Sequence, residues 1–277
     1  MTRTYVIAEL GINHNGDFQL AKQLIQAAKE AGADCVKFQK RTLPDAVPVE
    51  QRLQLRETPW GPMTYLQYKE RLEFNREAYD QLAEHCRQVG IEWTVSVWDA
   101  DAVAFMQPYR GQLPFLKVPS AKLTDMALLE AVRAFAIPVI ASTGMSTMAE
   151  VARAVAVLRK TDLTLMHTVS TYPADPEEVN LRVMQTLQSA FQVPVGYSGH
   201  ERGLQITLAA VARGAHVVER HLTLDRAMWG TDQAASLEPH AFARLVRDIR
   251  VIEAALGGPD KAVQPRELAV RSRLRGS

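Results

Sequence analysis

The sequence predicts an α/β fold, a closed (β/α)8 TIM barrel in a single domain. Three observations predict it. Apolar, strand-length runs alternate with helical periodicity eight times along 277 residues, the pattern of a parallel sheet wrapped by helices. Most of those runs are apolar throughout, as strands buried on both faces tend to be. The first turn, Gly11-Ile12-Asn13-His14-Asn15-Gly16, lacks the GxGxxG spacing of an open doubly wound sheet. No GxxxxGK[ST] run is present either, so a P-loop is absent.

The eight strand candidates are residues 4–10, 35–39, 92–98, 115–120, 138–143, 163–169, 194–200 and 216–223. Each is rich in Val, Ile, Leu, Phe or Thr. Helical spacing follows over 18–31, with Asp17 as N-cap, then over 79–89, 123–135, 147–158 with Ser146 as cap, 177–191, 204–213 and 240–256. A shorter helix is expected over 99–106. The barrel then spans 1–257, with a long loop at 40–78 and a tail at 258–277. A loop of that length is either a lid or a structural insertion over the barrel mouth.

Charge is nearly balanced, 32 Lys plus Arg against 31 Asp plus Glu, and 47% of residues are hydrophobic. That excludes a disordered chain and gives no basic footprint for nucleic acid. Two cysteines, Cys35 and Cys86, exclude a disulfide scaffold and a multi-cysteine zinc ribbon. No signal-peptide pattern and no membrane-length apolar run is found, so a cytoplasmic protein with free thiols is expected.

Polar residues gather at the C-terminal ends of the runs, where a barrel of this type carries its active site. The ends carry Glu9, Asn13 and His14; Lys37, Gln39 and Lys40; Ser96 and Asp99; Lys117 and Ser120; Ser142 and Thr143; His167, Ser170 and Tyr172; Ser198 and His200; and Glu219 and His221. Ionisable groups in apolar strands are costly to bury without partners. If Lys37 and Lys117 both point inward, they form a cationic floor for a phosphate or carboxylate; buried pairing explains them equally well. His200 and His221, on neighbouring strands, can share one divalent metal or be hydrogen-bonded core groups. Cys35 shares the parity of Lys37, and inert packing is its plain reading. Trp98 and Trp229 fall near the mouth. The basic tail, with Lys261, Arg266, Arg271, Arg273 and Arg275, is solvated or part of a subunit contact.

Several motifs, in order, carry a wider resemblance. They are Ile7-Ala8-Glu9-Leu10-Gly11-Ile12-Asn13-His14-Asn15-Gly16, Val36-Lys37-Phe38-Gln39, Lys117-Val118-Pro119-Ser120, Ala141-Ser142-Thr143-Gly144-Met145-Ser146, Pro194-Val195-Gly196-Tyr197-Ser198-Gly199-His200 and Glu219-Arg220-His221-Leu222-Thr223-Leu224-Asp225. Together they resemble the sialic acid synthase (N-acetylneuraminate synthase) family over nearly the whole chain. The resemblance implies a barrel that condenses phosphoenolpyruvate with an aldose such as N-acetylmannosamine or its phosphate. The products are a nonulosonic acid and inorganic phosphate. It implies a divalent metal, usually Mn2+ with Mg2+ or Co2+ as substitutes, on His200 and His221, there to polarise the sugar aldehyde. Lys37, Lys117, Ser120, Ser142 and Ser198 would hold phosphoenolpyruvate, and Ser96, Ser170 and Lys122 are further substrate-binding candidates. Gln39, Tyr172 and Asp232 would face the sugar, and Glu9, Lys37, Lys117 and His221 would serve the chemistry. A homodimer is expected, without nucleic-acid or membrane partners.

Departures from the family pattern sharpen these expectations. Where well-known members read Lys-x-Pro-Ser-Gly-Glu, this chain has Lys117-Val118-Pro119-Ser120-Ala121-Lys122. Lys122 either points to a more anionic acceptor, such as a phosphorylated sugar, or starts the next helix and faces solvent. Ser170 replaces a common asparagine and Ser96 a threonine. The stretch from Arg56 to Tyr65 differs from the well-known members. The sequence ends at Ser277, about where relatives begin an antifreeze-like domain that lends an arginine to the sugar site, so the long loop or a partner's tail is expected to complete that site. The rival readings are condensation with another aldose phosphate, a Schiff-base pyruvate aldolase, or a non-catalytic sugar-phosphate binder.

Overall fold

The computed structural model describes residues 3–275; the outermost residues of the 1–257 and 258–277 divisions fall outside that range. Eight parallel strands close the barrel: β1 (Tyr5–Gly11), β2 (Cys35–Lys40), then β5 (Glu92–Val97), β6 (Leu116–Val118), β7 (Val139–Ser142), β8 (Leu163–Thr168), β9 (Val195–Gly199) and β10 (Val217–His221). The remaining two, β3 (Leu55–Arg56) and β4 (Met63–Thr64), form a short antiparallel pair inside the long loop. Each barrel strand pairs with its sequence neighbour in the barrel, and β10 returns to β1.

All eight expected runs are strands, with ends shifted by local chemistry. The run over 115–120 is shortest because Pro119 has no N–H for the ladder and Ser120–Lys122 turns into a 3-10 helix. The helix Phe18–Glu30 is capped by Asp17, whose carboxylate accepts from Gln19 N at 2.7 Å and Leu20 N at 3.1 Å. The cap of Met148–Leu158 is Thr147 rather than Ser146, because Thr147 and Glu150 form a reciprocal capping box that satisfies two helix-end donors. The helix expected over 177–191 is two, Pro176–Val179 and Val183–Phe191, interrupted where Asn180 turns left-handed at φ 49°. The long loop is built rather than irregular. It holds the helices Val49–Arg52 and Tyr65–Leu72 as well as β3 and β4.

Strand parity sorts the side chains. Outward residues such as Val6, Ala8, Val36, Phe38, Val95, Leu165 and Val218 pack against the surrounding helices in the main core. Inward residues stack in layers along the barrel axis, as the fold requires. The floor is apolar: Ile7, Cys35, Phe115, Ile140 and Met166. Cys35 is therefore a buried packing residue. Gly196 belongs to this level, where an added Cβ would lie 2.4 Å from the Val217 carbonyl oxygen and 2.5 Å from Met166 Sδ. The helix Glu267–Arg275 is exposed along its length. Among the described residues, no helix is long and apolar enough to cross a membrane.

Candidate active site

Two residues above the apolar floor, the same parity places a ring of polar groups. Glu9, Lys37, Ser96, Lys117, Ser142, Ser198 and Glu219 all line one cavity of about 200 Å3 at the C-terminal ends of the strands. Gln39, Trp98, Ser120, Ser170, Tyr172, His200 and His221 form its upper wall. Twelve of the fourteen candidate catalytic, substrate-binding and metal residues thus meet in one place, all but Lys122 and Asp232. Larger clefts of about 480–670 Å3 lie elsewhere on the molecule. None of them gathers these strand-end groups, so size does not locate the site.

The ring is a buried charge network. The Lys37 ammonium pairs with the Glu9 carboxylate, donates to Ser96 Oγ at 2.6 Å and stands 3.6 Å from Glu219 Oε1. Lys117 donates to Ser142 Oγ at 2.7 Å and lies 3.7 Å from the same Glu219 oxygen. Ser198 Oγ is 3.3 Å from Glu219 Oε1. Gln39 donates to Glu9 Oε1 at 2.8 Å. Gly11, at φ +48°, leaves room for that bond, since a Cβ there would lie 2.8 Å from Glu9 Oε1. The lysines therefore point inward and are paired with carboxylates.

Burial sets the protonation of this network. It pushes Glu9 up to about 7, against the pull of Lys37. Burial also pushes Lys117 down to about 8, with Glu219 opposing. For Glu219 burial acts upward, but Lys117 and Lys37 outweigh it and hold the carboxyl at about 2. Burial lowers Lys37, but Glu219 and Glu9 outweigh it and raise the ammonium. The cavity thus holds two ammoniums against two carboxylates, one of which is poised to take a proton near neutrality.

The two histidines stand side by side above this ring, with ring centroids 5.5 Å apart. Tyr172 stacks on His200 at 4.0 Å. His200 Nδ1 is 2.6 Å from the Val169 carbonyl. A carbonyl only accepts, so Nδ1 carries the proton and Nε2 keeps its lone pair. Burial pushes His200 down to about 4 and lowers His221 as well, so both rings are neutral and able to ligate. His221 Nδ1 has no hydrogen-bond partner; the nearest carboxylate is Asp232 at 3.8 Å. Among the described residues no group of three or more His, Cys, Asp or Glu is arranged to hold a metal. The protein side of any metal site here is therefore two imidazoles, a donor set that suits first-row divalent metals and leaves open positions.

Some residues fall elsewhere. Lys122 does not line the cavity; its ammonium lies 3.3 Å from Asp125, the N-cap of the next helix. Asp232 stands behind His221, at the start of the short 3-10 helix Gln233–Ala235. His167 points outward, its Nε2 2.5 Å from the Val179 carbonyl. His14 stacks on Phe74 at 4.3 Å, and Asn13 ties down the β10 loop through Leu222 O and Ser236 Oγ, both at 2.8 Å. The inward residue of β8 is Thr168, which lines the cavity with Met145. Counting by twos from Met166 would have chosen Thr168 over His167. Glu219, central to the charge network, was visible as a strand-end carboxylate, but its partners were not.

The NeuB family model matches residues 24–261. The chain belongs to the NeuB family. It is 40% identical over 275 residues to the human N-acetylneuraminate-9-phosphate synthase, covering 98% of this chain and 76% of the relative. It is 38% identical over 265 residues to the N,N'-diacetyllegionaminic acid synthase of Campylobacter jejuni, covering 93% and 78%. The N-acetylneuraminic acid synthetase of Leptospira borgpetersenii, solved with citrate, superposes with a TM-score of 0.87 at 30% identity, covering all of this chain and 94% of that one. This NeuB-family protein is an enzyme that condenses phosphoenolpyruvate with a sugar, forming a carbon–carbon bond.

Proposed function

We propose that the strand-end cavity joins phosphoenolpyruvate to the open-chain aldehyde of an N-acetylmannosamine-like aldose, releasing a nonulosonic acid and inorganic phosphate. The observation that carries this reading is the pair of buried ammoniums, Lys37 and Lys117, each hydrogen-bonded to a serine in a cavity of about 200 Å3. That volume is below the roughly 300–1,000 Å3 of pockets for larger ligands. It suits a three-carbon phosphate ester, with the sugar above it at the mouth.

Lys37, Lys117 and Ser120, Ser142 and Ser198 bind the phosphate and carboxylate of phosphoenolpyruvate and fix its plane. Tyr172 and Gln39 hold the sugar with its aldehyde carbon over C3 of the enol. Alignment of the two carbons supplies much of the acceleration. C3 forms the new bond, and the aldehyde oxygen takes up a proton from solvent water. Water adds to the electron-poor C2, and Glu9, held near neutrality, orients it and accepts its proton. The tetrahedral centre then breaks its C2–O bond to phosphate, and the lysines neutralise the departing anion. His200 and His221 fit a divalent metal, Mn2+ being our choice, which would supply Lewis-acid polarisation of the aldehyde oxygen.

The test is phosphate release from phosphoenolpyruvate with a panel of aldoses, with and without Mn2+. Release is expected only when both an N-acetylmannosamine-type acceptor and the metal are present. No release with any aldose, or full release in a metal-depleted His200→Ala variant, would overturn the respective parts of this reading.

A further inference from the structure

Behind the two histidines, on the outward side of β9 and β10, lies a second buried ion pair that the reaction does not use. Arg220 is 1% exposed and Glu201 is fully buried. Each is the chain neighbour of one imidazole: Glu201 follows His200, and Arg220 precedes His221. Arg220 Nη1 meets Glu201 Oε1 at 2.9 Å, and Nη2 donates to the Glu201 carbonyl at 2.5 Å. Nη1 also reaches the Gly203 carbonyl at 2.9 Å and Thr207 Oγ1 at 3.0 Å. The Glu201 carboxylate accepts from Thr207 Oγ1 and from Tyr197 OH, both at 2.7 Å.

A fully buried ion pair is a poor device for stability, because desolvating two charges consumes most of their attraction. Its geometry points to register instead. The ladder between β9 and β10 has its last register partners at Gly199 and Arg220. His200 and His221 are the first pair past that end. The Arg220 fork spans the gap, holding the carbonyls of Glu201 and Gly203 from the neighbouring strand. A planar fork of donors fixes two acceptors at once, which a single ammonium does not. Gly199 makes room for this clamp, since a Cβ there would lie 2.4 Å from Glu201 Oε2 and 2.7 Å from the Tyr197 ring.

We propose that Arg220 and Glu201 are positioning residues whose clamp sets the spacing of the His200 and His221 rings, 5.5 Å between centroids. This rests on the two-histidine metal reading above. His200 has a tether of its own, from Nδ1 to the Val169 carbonyl. His221 Nδ1 has no hydrogen-bond partner, so the place of that ring depends on its packing and on the backbone that Arg220 anchors. Groups one step behind metal-ligating side chains commonly change metal affinity by about 10–100-fold when replaced.

The experiment measures Mn2+ binding to the metal-free enzyme, from the electron paramagnetic resonance of free Mn2+, and phosphoenolpyruvate binding by calorimetry. It compares wild type, Arg220→Lys and the double variant Glu201→Gln with Arg220→Met. The double variant leaves no buried charge unpaired and keeps acceptors for Tyr197 and Thr207. Mn2+ binds at least about tenfold more weakly in the double variant. It binds at least about fivefold more weakly in Arg220→Lys, which keeps the charge but loses the fork. Phosphoenolpyruvate binding stays within about twofold in both, because Lys37 and Lys117 are untouched. Wild-type Mn2+ affinity in Arg220→Lys would reduce Arg220 to a neutralising charge and overturn the clamp. So would equal losses for Mn2+ and phosphoenolpyruvate. Should the double variant not fold, Arg220→Lys alone decides. If wild type binds no Mn2+, the metal reading falls separately. The imidazole proton resonances of Arg220→Lys then decide the clamp: shifts at His200 and His221, with His14 and His167 unmoved, support it, and unmoved His200 and His221 signals overturn it.

Discussion

Lys117 is the residue where burial and function meet most directly. Its ammonium is hydrogen-bonded to Ser142 and shares Glu219 with Lys37, yet burial holds it at about 8. Above that pH it loses the charge proposed to bind phosphoenolpyruvate. We predict that kcat/KM for phosphoenolpyruvate falls by about tenfold per pH unit above pH 8, and that Lys117→Ala raises KM by at least about 30-fold, the equivalent of about 2 kcal/mol. Steady-state kinetics from pH 6.5 to 9.5 check both. The stability trend has the opposite sign. A folded-state pKa below the ordinary 10.5 means the fold gains stability as pH rises from about 8 toward 10.5. A flat kinetic profile across pH 8 would show that this ammonium does not contact the substrate.

At the scale of elements, the barrel works because strand parity separates an apolar floor from a polar ring. Gly196 shows how tight that floor is, with no space for a Cβ beside Val217 and Met166. Gly196→Ala is predicted to cost about 1–3 kcal/mol through overpacking, read as a lower melting temperature. An unchanged melting temperature would mean that β9 and β10 are free to move apart. The same parity made much of the site legible in advance. A polar residue two places beyond an apolar inward one, as Lys37 follows Cys35 and Glu219 follows Val217, is readable from a single strand. What one strand cannot reveal is its neighbour across the barrel. The sharing of Glu219 by Lys37 and Lys117 joins three strands far apart in the chain. The packing of the long loop was illegible for a related reason: Tyr68 of the helix Tyr65–Leu72 meets Trp229, more than 150 residues away. Lys122, by contrast, is ruled by a neighbour three residues on, and the reading that it begins the next turn was the simpler one.

At the scale of the molecule, eight strand–helix units carry two lysines, two histidines and two carboxylates to one mouth. Expectations about fold class and family drew on patterns spread over the whole chain, so they survived local errors in helix ends and caps. The chemistry depends on how a few groups act together. It is tested most directly by following the oxygen that links carbon to phosphorus. Phosphoenolpyruvate labelled with 18O in that bridging position is incubated with enzyme, Mn2+ and the accepted aldose. Condensation by the proposed route breaks the C2–O bond, so every phosphate released carries the label and its amount equals the nonulosonic acid formed. Unlabelled phosphate, or labelled phosphate released equally without aldose, would contradict it.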